Sequence, residues 1–540
     1  MTYGGPLRLA SAWNIAAGRE SSNVQRALSR TYGTDADLVH ERLALIRRVL
    51  DTFVARFGDR PCRVFRCPGR INLRGMHVDT HGGYLNLMTR HREFVVVAAP
   101  RDDRTVTCVN IAPEFDETSF GIEAEPASPP PPGHWANYLR GCVNVARGVF
   151  PDTEFGGTAM AVGSDIPIGA ALSSSSALCV ACLTAILACH GKALEPEALI
   201  LAARDAEWCA GSRCGVSDQA AMVLGGPNEL VNIALLPWQL DTSTARRLTF
   251  PEDLEVLVVN SYTSRSLSGA AALAYNRNRF AYSLALDVLR HQMRALGWPE
   301  RLVGKAIRLS NLSPDFFAEV GGNRAILGLL RAVPETISLS ELRRRYELPS
   351  FDEAYERYFG AVSEDQRPKT IALRGPLLFG IAESERARVF PEALTVGDIE
   401  MAGTLMTIGH DGDRVVAPDG SAFVYDVSDA ALDAFVERNV PIAQIPGAYG
   451  ASSPPLDVLV DAAIQAGALG ACLTGAGIAG TVLALCNTQD APTVAEAVRQ
   501  RLASPEYTRV SGRQAPLEDR EVASAVVTNH ATAAASELVL

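Results

Sequence analysis

The sequence predicts an α+β protein built from two large domains. Its 540 residues are more than a single hydrophobic core usually serves. Hydrophobic residues make up 47% and charged residues 21% of the chain, so a core of ordinary globular composition is available. Short strand-like runs are mixed with long segments of helical periodicity, which is typical of a chain that combines sheets and helices.

The first 250 residues contain both kinds of pattern. Apolar residues follow helical spacing in segment 35–57, and a second helix is predicted at 197–210. Strand-forming runs at 63–65 and 93–99 flank a segment that contains several glycines. From residue 173 onward, four serines precede an uninterrupted apolar stretch, which predicts the start of a long helix.

The rest of the chain predicts three further strands, at residues 254–260, 471–473 and 481–485. A long helix with a basic face is predicted at 270–296. Residues 299–376 are polar and helix-rich, and residues 412–455 are turn-rich. The segment SPPPPG at 128–133 predicts a stiff connector.

These patterns suggest how the chain is divided. We predict an N-terminal extension (1–57), an N-terminal domain (58–250), a C-terminal domain (251–505) with insertions near 299–370 and 411–450, and a C-terminal tail (506–540). The tail is weakly patterned and rich in alanine, and we expect it to be mobile.

Charge and composition narrow the class of protein. A net charge of −11 argues against a nucleic-acid-binding surface. We expect no signal peptide, and the longest apolar run, residues 177–189, is too short to span a bilayer. The eleven cysteines are scattered without zinc-site spacing, so we expect reduced thiols. These features predict a cytoplasmic protein, a monomer or homodimer, with no membrane or nucleic-acid partner.

The segment PIGAALSSSSAL at residues 167–178 has the composition of a phosphate-binding turn. Small residues let the backbone approach a ligand, and the helix that follows adds the positive end of its dipole. The same pattern also fits an ordinary helix cap, and the residues alone favour neither interpretation. The sequence has no Walker A pattern.

Two carboxylates, Glu207 and Asp218, lie in the segment AEWCAGSRCGVSDQ at residues 206–219. Phosphoryl transfer uses one carboxylate for magnesium and one near the attacking hydroxyl. Taken alone, however, the two residues fit acidic groups on a helix surface better.

The segment CPGRINLRGMHVD at residues 67–79 carries groups suited to a polar ligand. Arg70 offers a permanently charged fork to anions, although a surface ion pair is the plainer interpretation. His77 and Asp79 are two residues apart, so in an extended segment their side chains point the same way. His77 alone is more typical of a turn. A third glycine-rich segment, LTGAGIAG at residues 473–480, fits a tight turn after a strand.

Together and in this order, these segments resemble the signature motifs of the GHMP small-molecule kinases, most closely the galactokinase branch. The segments HWANYLRG at 134–141 and AYNRNR at 274–279 resemble further parts of that family, and the resemblance covers about residues 60–500. It implies ATP-dependent phosphoryl transfer to a sugar hydroxyl. It also implies an N-terminal domain like ribosomal protein S5 domain 2 and a ferredoxin-like C-terminal domain, with ATP and sugar between them.

The resemblance assigns roles to individual residues. It implies that Asp218 is the catalytic base and that Arg70 stabilises developing charge beside it. The implied sugar-binding residues are Met76, His77, Asp79, Gly215 and Tyr275. The implied ATP-binding residues are Trp135, Tyr138, Gly169, Ala171, Ser173, Ser174, Ser175, Ser176, Gly475 and Gly477. Mg²⁺ is implied to bind Ser175 and Glu207.

One position departs from the family pattern. Galactokinases have Glu in the sequence Gly-Glu-His-x-Asp, where it binds the hexose 6-hydroxyl, and this chain has Met76 instead. A buried sugar hydroxyl without a partner would cost about 1–3 kcal/mol. We therefore expect a sugar 1-kinase whose acceptor is galactose-like but not galactose itself: a pentose, a 6-deoxy sugar or a modified aldose.

Other interpretations stay open at this point. Arg74 would make a uronic acid the acceptor if it approached a carboxylate, although a solvated Arg74 fits the pattern better. A non-catalytic sensor that binds sugar and ATP on the same fold is a second alternative. A kinase of a non-sugar alcohol, such as a mevalonate- or homoserine-type substrate, is a third.

Overall fold

The structure is a computed structural model that describes residues 7–13, 22–123, 130–131, 134–169, 172–211, 214–236, 240–263, 269–360 and 362–539. The predicted connector at 128–133 lies mostly outside the described residues. Within the described part of the chain, no helix has both the length and the apolar character needed to cross a membrane.

The first half of the chain forms most of one large sheet together with several helices. The strands are β1 (Arg8–Leu9), β2 (Pro61–Arg74), β3 (Tyr84–Arg101), β4 (Thr105–Asn110), β5 (Thr118–Gly121), β6 (Gly157–Ser164), β7 (Glu229–Ala234) and β8 (Arg246–Thr249). The helices are α1 (Ser22–Tyr32), α2 (Ala36–Phe57), α3 (Ala136–Val149), α4 (Ser174–Cys189), α5 (Pro196–Cys209) and α6 (Ser217–Leu224).

The second half contains a smaller sheet and most of the helices. The strands are β9 (Leu254–Asn260), β10 (Thr336–Ser338), β11 (Thr370–Ala372), β12 (Gly470–Thr474), β13 (Thr481–Asn487), β14 (Val526–Thr528) and β15 (Ser536–Leu538). The helices are α7 (Gly269–Ser283), α8 (Ala285–Ala295), α9 (Glu300–Val303), α10 (Gly322–Arg331), α11 (Leu339–Arg345), α12 (Phe351–Phe359), α13 (Arg374–Thr395), α14 (Ile399–Asp413), α15 (Asp429–Glu437), α16 (Pro454–Gln465), α17 (Ala491–Leu502), α18 (Pro505–Val510) and α19 (Asp519–Ala525).

The described strands of the large sheet number nine and run in the order β1-β2-β3-β6-β4-β5, with β15 on β2, β7 on β3 and β8 on β7. The pairs are antiparallel except for β4 with β6. Alternate residues of the long strands point to opposite faces, and both faces are buried. Val64 packs toward α2, whereas its neighbour Phe65 belongs to the core that contains α4.

A second sheet, of four strands, has the order β12-β13-β9-β14, and all of its pairs are antiparallel. Helices α16 and α17 pack against it through an apolar cluster that includes Leu459 and Val494. A further cluster, built from α7, α8, α10, α12 and α13, fills the helical region between residues 275 and 451.

Several predicted elements agree closely with the structure. Helix α2 begins directly after Asp35, whose carboxylate accepts hydrogen bonds from the N–H groups of Asp37 and Leu38, so the predicted start is capped. Strand β9 has the predicted bounds, and α4 begins at Ser174. Strands β2 and β3 are longer than predicted, so most of the first glycine-containing segment lies within β2.

The predicted long helix at 270–296 is wrong in one respect, because it is broken at Leu284 into α7 and α8. There the N–H of Leu284 donates to the carbonyl of Ala281, three residues back, and the hydroxyl of Ser283 donates to Phe280. These bonds tighten the last turn of α7 and end it.

The expectation of a mobile C-terminal tail is also wrong. Strand β14 pairs with β9, and strand β15 pairs with β2 of the large sheet. Arg66 is completely buried beneath this tail, donating to the carbonyls of Ala533 and Ala534 and to the hydroxyl of Thr532. Each tail strand has three residues, too few to show an alternating pattern in the sequence.

Removing residues 529–540 should therefore destabilise the whole protein. The deletion takes away β15 and the three acceptors that the tail offers to the buried Arg66 guanidinium, which keeps only Glu93 among its described acceptors, so we expect the free energy of unfolding to fall by at least about 3 kcal/mol. Urea unfolding followed by circular dichroism measures the change, with a deletion of residues 539–540 alone as the control. An unchanged midpoint for the longer deletion would show that the tail does not stabilise the sheet.

Candidate active site

The three glycine-rich segments meet around one cavity of about 590 Å³. Strand β2 contributes Arg70, the connection between β2 and β3 contributes Met76, His77 and Asp79, and the loop before α6 contributes Gly215. The start of α4 contributes Ser173, Ser174 and Ser175, and the turn between β12 and β13 contributes Gly475. Further walls come from Tyr275, Arg279, Tyr282, Tyr358 and Tyr449.

Asp218 lines this cavity from the first turn of α6. Arg70 donates from Nε to its Oδ1 at 2.7 Å, and the hydroxyl of Ser173 donates to its Oδ2. The Arg70 side chain is 7% exposed and that of Asp218 is 20% exposed, so the carboxylate faces the cavity while its positive partner lies deeper. The two residues are 148 positions apart in the sequence. Their pairing fixes the orientation of a carboxylate that lines the cavity.

Asp79 is held on the same side of the cavity. The hydroxyl of Ser217 donates to Asp79 Oδ2 at 2.9 Å. A Cβ atom at Gly215 would lie 2.0 Å from that oxygen, so any larger residue would displace the carboxylate. Gly215 is therefore required by close packing against Asp79.

His77 has an unusual environment. Its backbone has φ of 63°, in the left-handed region that non-glycine residues seldom adopt. Its ring stacks on Tyr449 with 4.8 Å between centroids, and its Nε2 lies 3.6 Å from Asp413 Oδ1. Among the described residues this buried nitrogen has no hydrogen-bond partner. Ser173 and Ile478, in the other two glycine-rich segments, also have positive φ, so each of the three segments contains a non-glycine residue in this region.

Met76 forms an apolar part of the wall. It is 1% exposed and belongs to the cluster that includes Leu257 of β9 and Val482 of β13, while it also lines the cavity. Its sulfur lies 3.9 Å from Asn72 Nδ2. The position therefore offers no carboxylate to a ligand.

Both interpretations of Arg74 from the sequence are wrong. Its side chain is 1% exposed, so it is not solvated, and it does not line the cavity. Its Nη1 donates to the carbonyls of Leu405 and Met406 at 3.0 and 2.9 Å, and its Nη2 lies 3.4 Å from Glu383 Oε1. Helices α13 and α14 cover this side of β2, and local sequence could not reveal that cover.

Glu383 on α13 is a residue that the sequence analysis missed. Its Oε1 accepts the N–H groups of Gly75 and Met76 at 2.7 and 2.9 Å, and its Oε2 accepts Nε of Arg386 at 2.8 Å. Complete burial opposes ionisation of this carboxylate, but Arg74 and Arg386 hold its pKa below the usual value. Glu383 thus fixes the backbone at Gly75 and Met76 from the other half of the chain.

The segment that the sequence predicted to bind phosphate lies at the N-terminus of α4. Ser175 and Ser176 donate their hydroxyl hydrogens to Glu207 at 2.7 Å each, and Gln219 donates to the same carboxylate at 2.9 Å. Glu207 is 3% exposed, and burial raises its pKa above the usual value. The described residues contain no group of three carboxylate, His or Cys side chains that would hold a metal by themselves. Ser175 and Glu207 supply hard oxygen atoms, which suits Mg²⁺ when phosphate oxygens complete the site.

Other predicted ATP-site residues lie around this corner. Gly169 lines the cavity, whereas Ser176 and Gly477 do not. Tyr138 is half-buried on α3, and burial together with Glu207 raises its pKa. Trp135 is 7% exposed and packs on Phe115 in the core instead of lining the cavity. Ala171 lies outside the described residues.

The third segment is tied to Tyr275 of α7, whose hydroxyl donates to the carbonyl of Ala476 at 3.0 Å. A Cβ atom at Gly477 would lie 2.1 Å from the carbonyl of Ala451, so this turn packs tightly on the neighbouring backbone. Gly475 and Ala476 of this turn line the cavity.

Three family models match the chain. The model described as GHMP kinases N terminal domain matches residues 137–226, and GHMP kinases C terminal matches residues 436–504. The galactokinase galactose-binding signature matches residues 51–100. The chain belongs to the GHMP kinases. These are ATP-dependent phosphotransferases, and the predicted family and two-domain α+β fold are confirmed.

Curated relatives of this GHMP kinase carry the name galactokinase. The protein from Chloroflexus aggregans is 29% identical over 401 residues, covering 74% of this chain and 82% of the relative. The protein from Thermococcus kodakarensis is 28% identical over 421 residues, covering 77% and 87%. The crystal structure of Lactococcus lactis galactokinase complexed with galactose superposes with a TM-score of 0.59 over 91% of this chain and 98% of that one. At 19% identity, that superposition shows a common fold.

The Glu383→Gln variant of this GHMP kinase should be strongly destabilised. An amide leaves the buried Arg74 and Arg386 without their negative partner, which typically costs about 3–5 kcal/mol. Thermal or urea unfolding measures the loss, and Glu392→Gln, an exposed position on the same helix, is the matched control. If both variants unfold like the wild type, Glu383 is not the residue that fixes this segment.

Proposed function

We propose that the chain is an ATP-dependent sugar kinase that phosphorylates the anomeric hydroxyl of a galactose-like monosaccharide. The observation that carries this proposal is Asp218, which lines the cavity and is held by Arg70 and by Ser173, the N-cap residue of α4. Asp79 and His77, which line the same cavity, supply polar groups for ring hydroxyls. A polar pocket for an acceptor therefore adjoins a turn suited to phosphates.

The arrangement supports direct transfer of the phosphoryl group. Asp218 accepts the proton of the acceptor hydroxyl as its oxygen attacks the γ-phosphorus, and the bond from phosphorus to the bridging oxygen of ADP breaks. Arg70 stabilises the negative charge that develops near the attacking oxygen. The N–H groups at the start of α4 receive the phosphates. Ser175 and Glu207 would hold Mg²⁺, which when bound neutralises charge on the β- and γ-phosphates.

Met76 argues for an acceptor without a 6-hydroxyl. The side chain at this position is apolar and buried, so a hydroxyl that reached it would lose its hydrogen bonds to water without replacement. L-Arabinose matches galactose without the exocyclic carbon, and 6-deoxy sugars present a methyl group there. Both kinds of sugar fit an apolar wall.

A uronic acid is a second candidate, for a different reason from the one that the sequence suggested. Arg279 lines the cavity and forms no ion pair with a carboxylate in the described part of the chain. Its guanidinium lies over the rings of Tyr275 and Tyr358 at 5.6 and 5.8 Å, which positions it without neutralising its charge. Such a group would bind a carboxylate in a bidentate manner.

The Asp218→Asn variant should lose turnover and keep nucleotide binding. An amide cannot accept the hydroxyl proton, so we expect kcat to fall about 10²- to 10⁴-fold. ADP release with a sugar panel measures turnover, and calorimetry measures ATP binding. Asp419→Asn, an exposed carboxylate that bonds to Ser421, is the control. Full activity in Asp218→Asn would exclude it as the base, and no ADP release by the wild type with any sugar or small alcohol would favour a sensor.

The Glu207→Gln variant should separate metal binding from stability. We expect Mg²⁺-dependent ATP affinity to fall at least about tenfold, because a carboxylate ligand is lost. Burial raises the pKa of Glu207, so its favourable contribution to stability is present below about pH 4.5 and is lost as the pH rises through the raised pKa. The variant should therefore gain stability relative to the wild type between pH 5 and 8. Asp205→Asn on the same helix is the control, and an unchanged ATP affinity would remove Glu207 from the site.

The acceptor preference should follow residue 76. Steady-state kinetics on galactose, L-arabinose, fucose and galacturonate should give the highest kcat/KM for a sugar without a 6-hydroxyl. Met76→Glu should raise the relative kcat/KM of galactose, whereas Met76→Leu should leave the order unchanged. If galactose is the best substrate of the wild type, our interpretation of Met76 is wrong. If galacturonate is best and Arg279→Gln abolishes that preference, the acceptor is the uronic acid.

A further inference from the structure

A second cavity, of about 330 Å³, shares part of its wall with the first. Pro167, Gly169 and Leu172 line both cavities. The rest of the second cavity is formed by Arg90 and Arg92 of β3, the end of β9, and residues 524–527 near β14. None of the residues to which we assign the phosphoryl-transfer step, Asp218, Arg70, Ser175 and Glu207, lines it.

The charge of this second cavity is positive. Arg90 and Arg92 line it, and no carboxylate among the described residues does so. Asp165 is near, but it is engaged by Arg42 at 2.5 Å and by the N–H of Glu93 at 2.8 Å. The cavity therefore has two guanidinium groups and no anion of its own.

Arg90 differs from the other buried arginines that the structure describes. The structure describes eight buried arginines, and the seven other than Arg90 each form an ion pair with a described carboxylate: Arg42, Arg66, Arg70, Arg74, Arg374, Arg386 and Arg414. Arg90 is 2% exposed and has no such partner in the described part of the chain. Its Nε donates to Asn529 Oδ1 at 3.3 Å, and its buried Nη1 has no hydrogen-bond partner there. Buried charges in proteins are normally paired, so this group lacks an anion.

The energetic situation of Arg90 is consistent with a missing anion. Burial, reinforced by the neighbouring Arg92, lowers the pKa of Arg90 to about 9. A bound anion would reverse this shift and satisfy Nη1. The paired arginines elsewhere in the core obtain the same compensation from carboxylates of the chain itself.

The other residues that line this cavity indicate which further groups a ligand could carry. Asn260, Thr263 and Ser524 provide polar side chains, and Leu172, Val258 and Val527 provide apolar surface. Tyr262, also in the lining, has φ of 51°, and its hydroxyl lies 2.9 Å from that of Ser524. The volume is at the lower end of the range for small-molecule cavities.

We propose that this cavity is a second binding site, for a small anion with a phosphate or carboxylate group that Arg90 and Arg92 hold. The proposal does not depend on the sugar-kinase reaction. The anion would contact Pro167, Gly169 and Leu172, which also line the active-site cavity.

Binding of inorganic pyrophosphate and of citrate to the full chain tests the proposal. Calorimetry and thermal unfolding at constant ionic strength should show saturable binding of at least one of the two, with Kd below about 10 mM. Arg90→Gln should weaken this binding at least about tenfold, and Arg92→Gln should weaken it in the same direction without altering a fully buried position. Arg101→Gln, at the far end of β3, is the matched control and should bind like the wild type.

The Ser174→Phe variant separates this site from the nucleotide phosphates. It should lose ATP binding and retain the anion, whereas Arg90→Gln should do the reverse. Tighter binding of pyrophosphate identifies the ligand class as phosphorylated, and tighter binding of citrate identifies it as carboxylated; either supports the site. The proposal is overturned if neither anion binds, if both arginine variants bind as the wild type does, or if Ser174→Phe abolishes anion binding.

Discussion

The carboxylate of Glu383 is the contact on which the shape of the candidate active site depends. It accepts hydrogen bonds from the backbone N–H groups of Gly75 and Met76, and it lies beside the guanidinium groups of Arg74 and Arg386. None of these partners is exposed to solvent. A buried charge of this kind is tolerated when every partner is present, and losing one leaves the others uncompensated. The contact therefore sets the position of the β2 end against helix α13 much more firmly than apolar packing alone would.

A fixed backbone at Gly75 and Met76 has a consequence for specificity. The loop is held in one conformation, so under the proposed function the identity of residue 76 would decide which group the acceptor meets at that wall. The same reasoning applies to Asp79. Its carboxylate accepts a hydrogen bond from Ser217 and packs directly against the backbone of Gly215, so its position is fixed. Substrate choice in this cavity is thus a matter of which side chains stand at rigid positions, and single substitutions should change it without changing the fold.

Local sequence patterns and family motifs correctly predicted some elements and one pair of site residues. Helix α2 and strand β9 follow from periodicity, and the Arg70–Asp218 pair follows from family motifs that lie far apart in the chain. Glu383 was missed because its partners lie about 300 positions away, beyond any local pattern. Arg74 was misjudged because its cover comes from α14, and the tail strands were missed because three residues cannot show an alternation. In each case tertiary contact decided the outcome.

The residues that line the proposed acceptor pocket show why sequence motifs identify the reaction of a chain more readily than its substrate. The groups that would act on phosphate and proton lie in segments that the family models match. Tyr275, Arg279, Tyr282 and Tyr358 line the same cavity but lie outside the matched residues, in a helical region whose sequence carried no chemical signal beyond Tyr275. Met76 describes one wall, and these four side chains describe another. In the proposed function, an acceptor must present an apolar edge to Met76 and also fit beside the guanidinium of Arg279 and the tyrosine rings. The two requirements together restrict the acceptor more than either does alone.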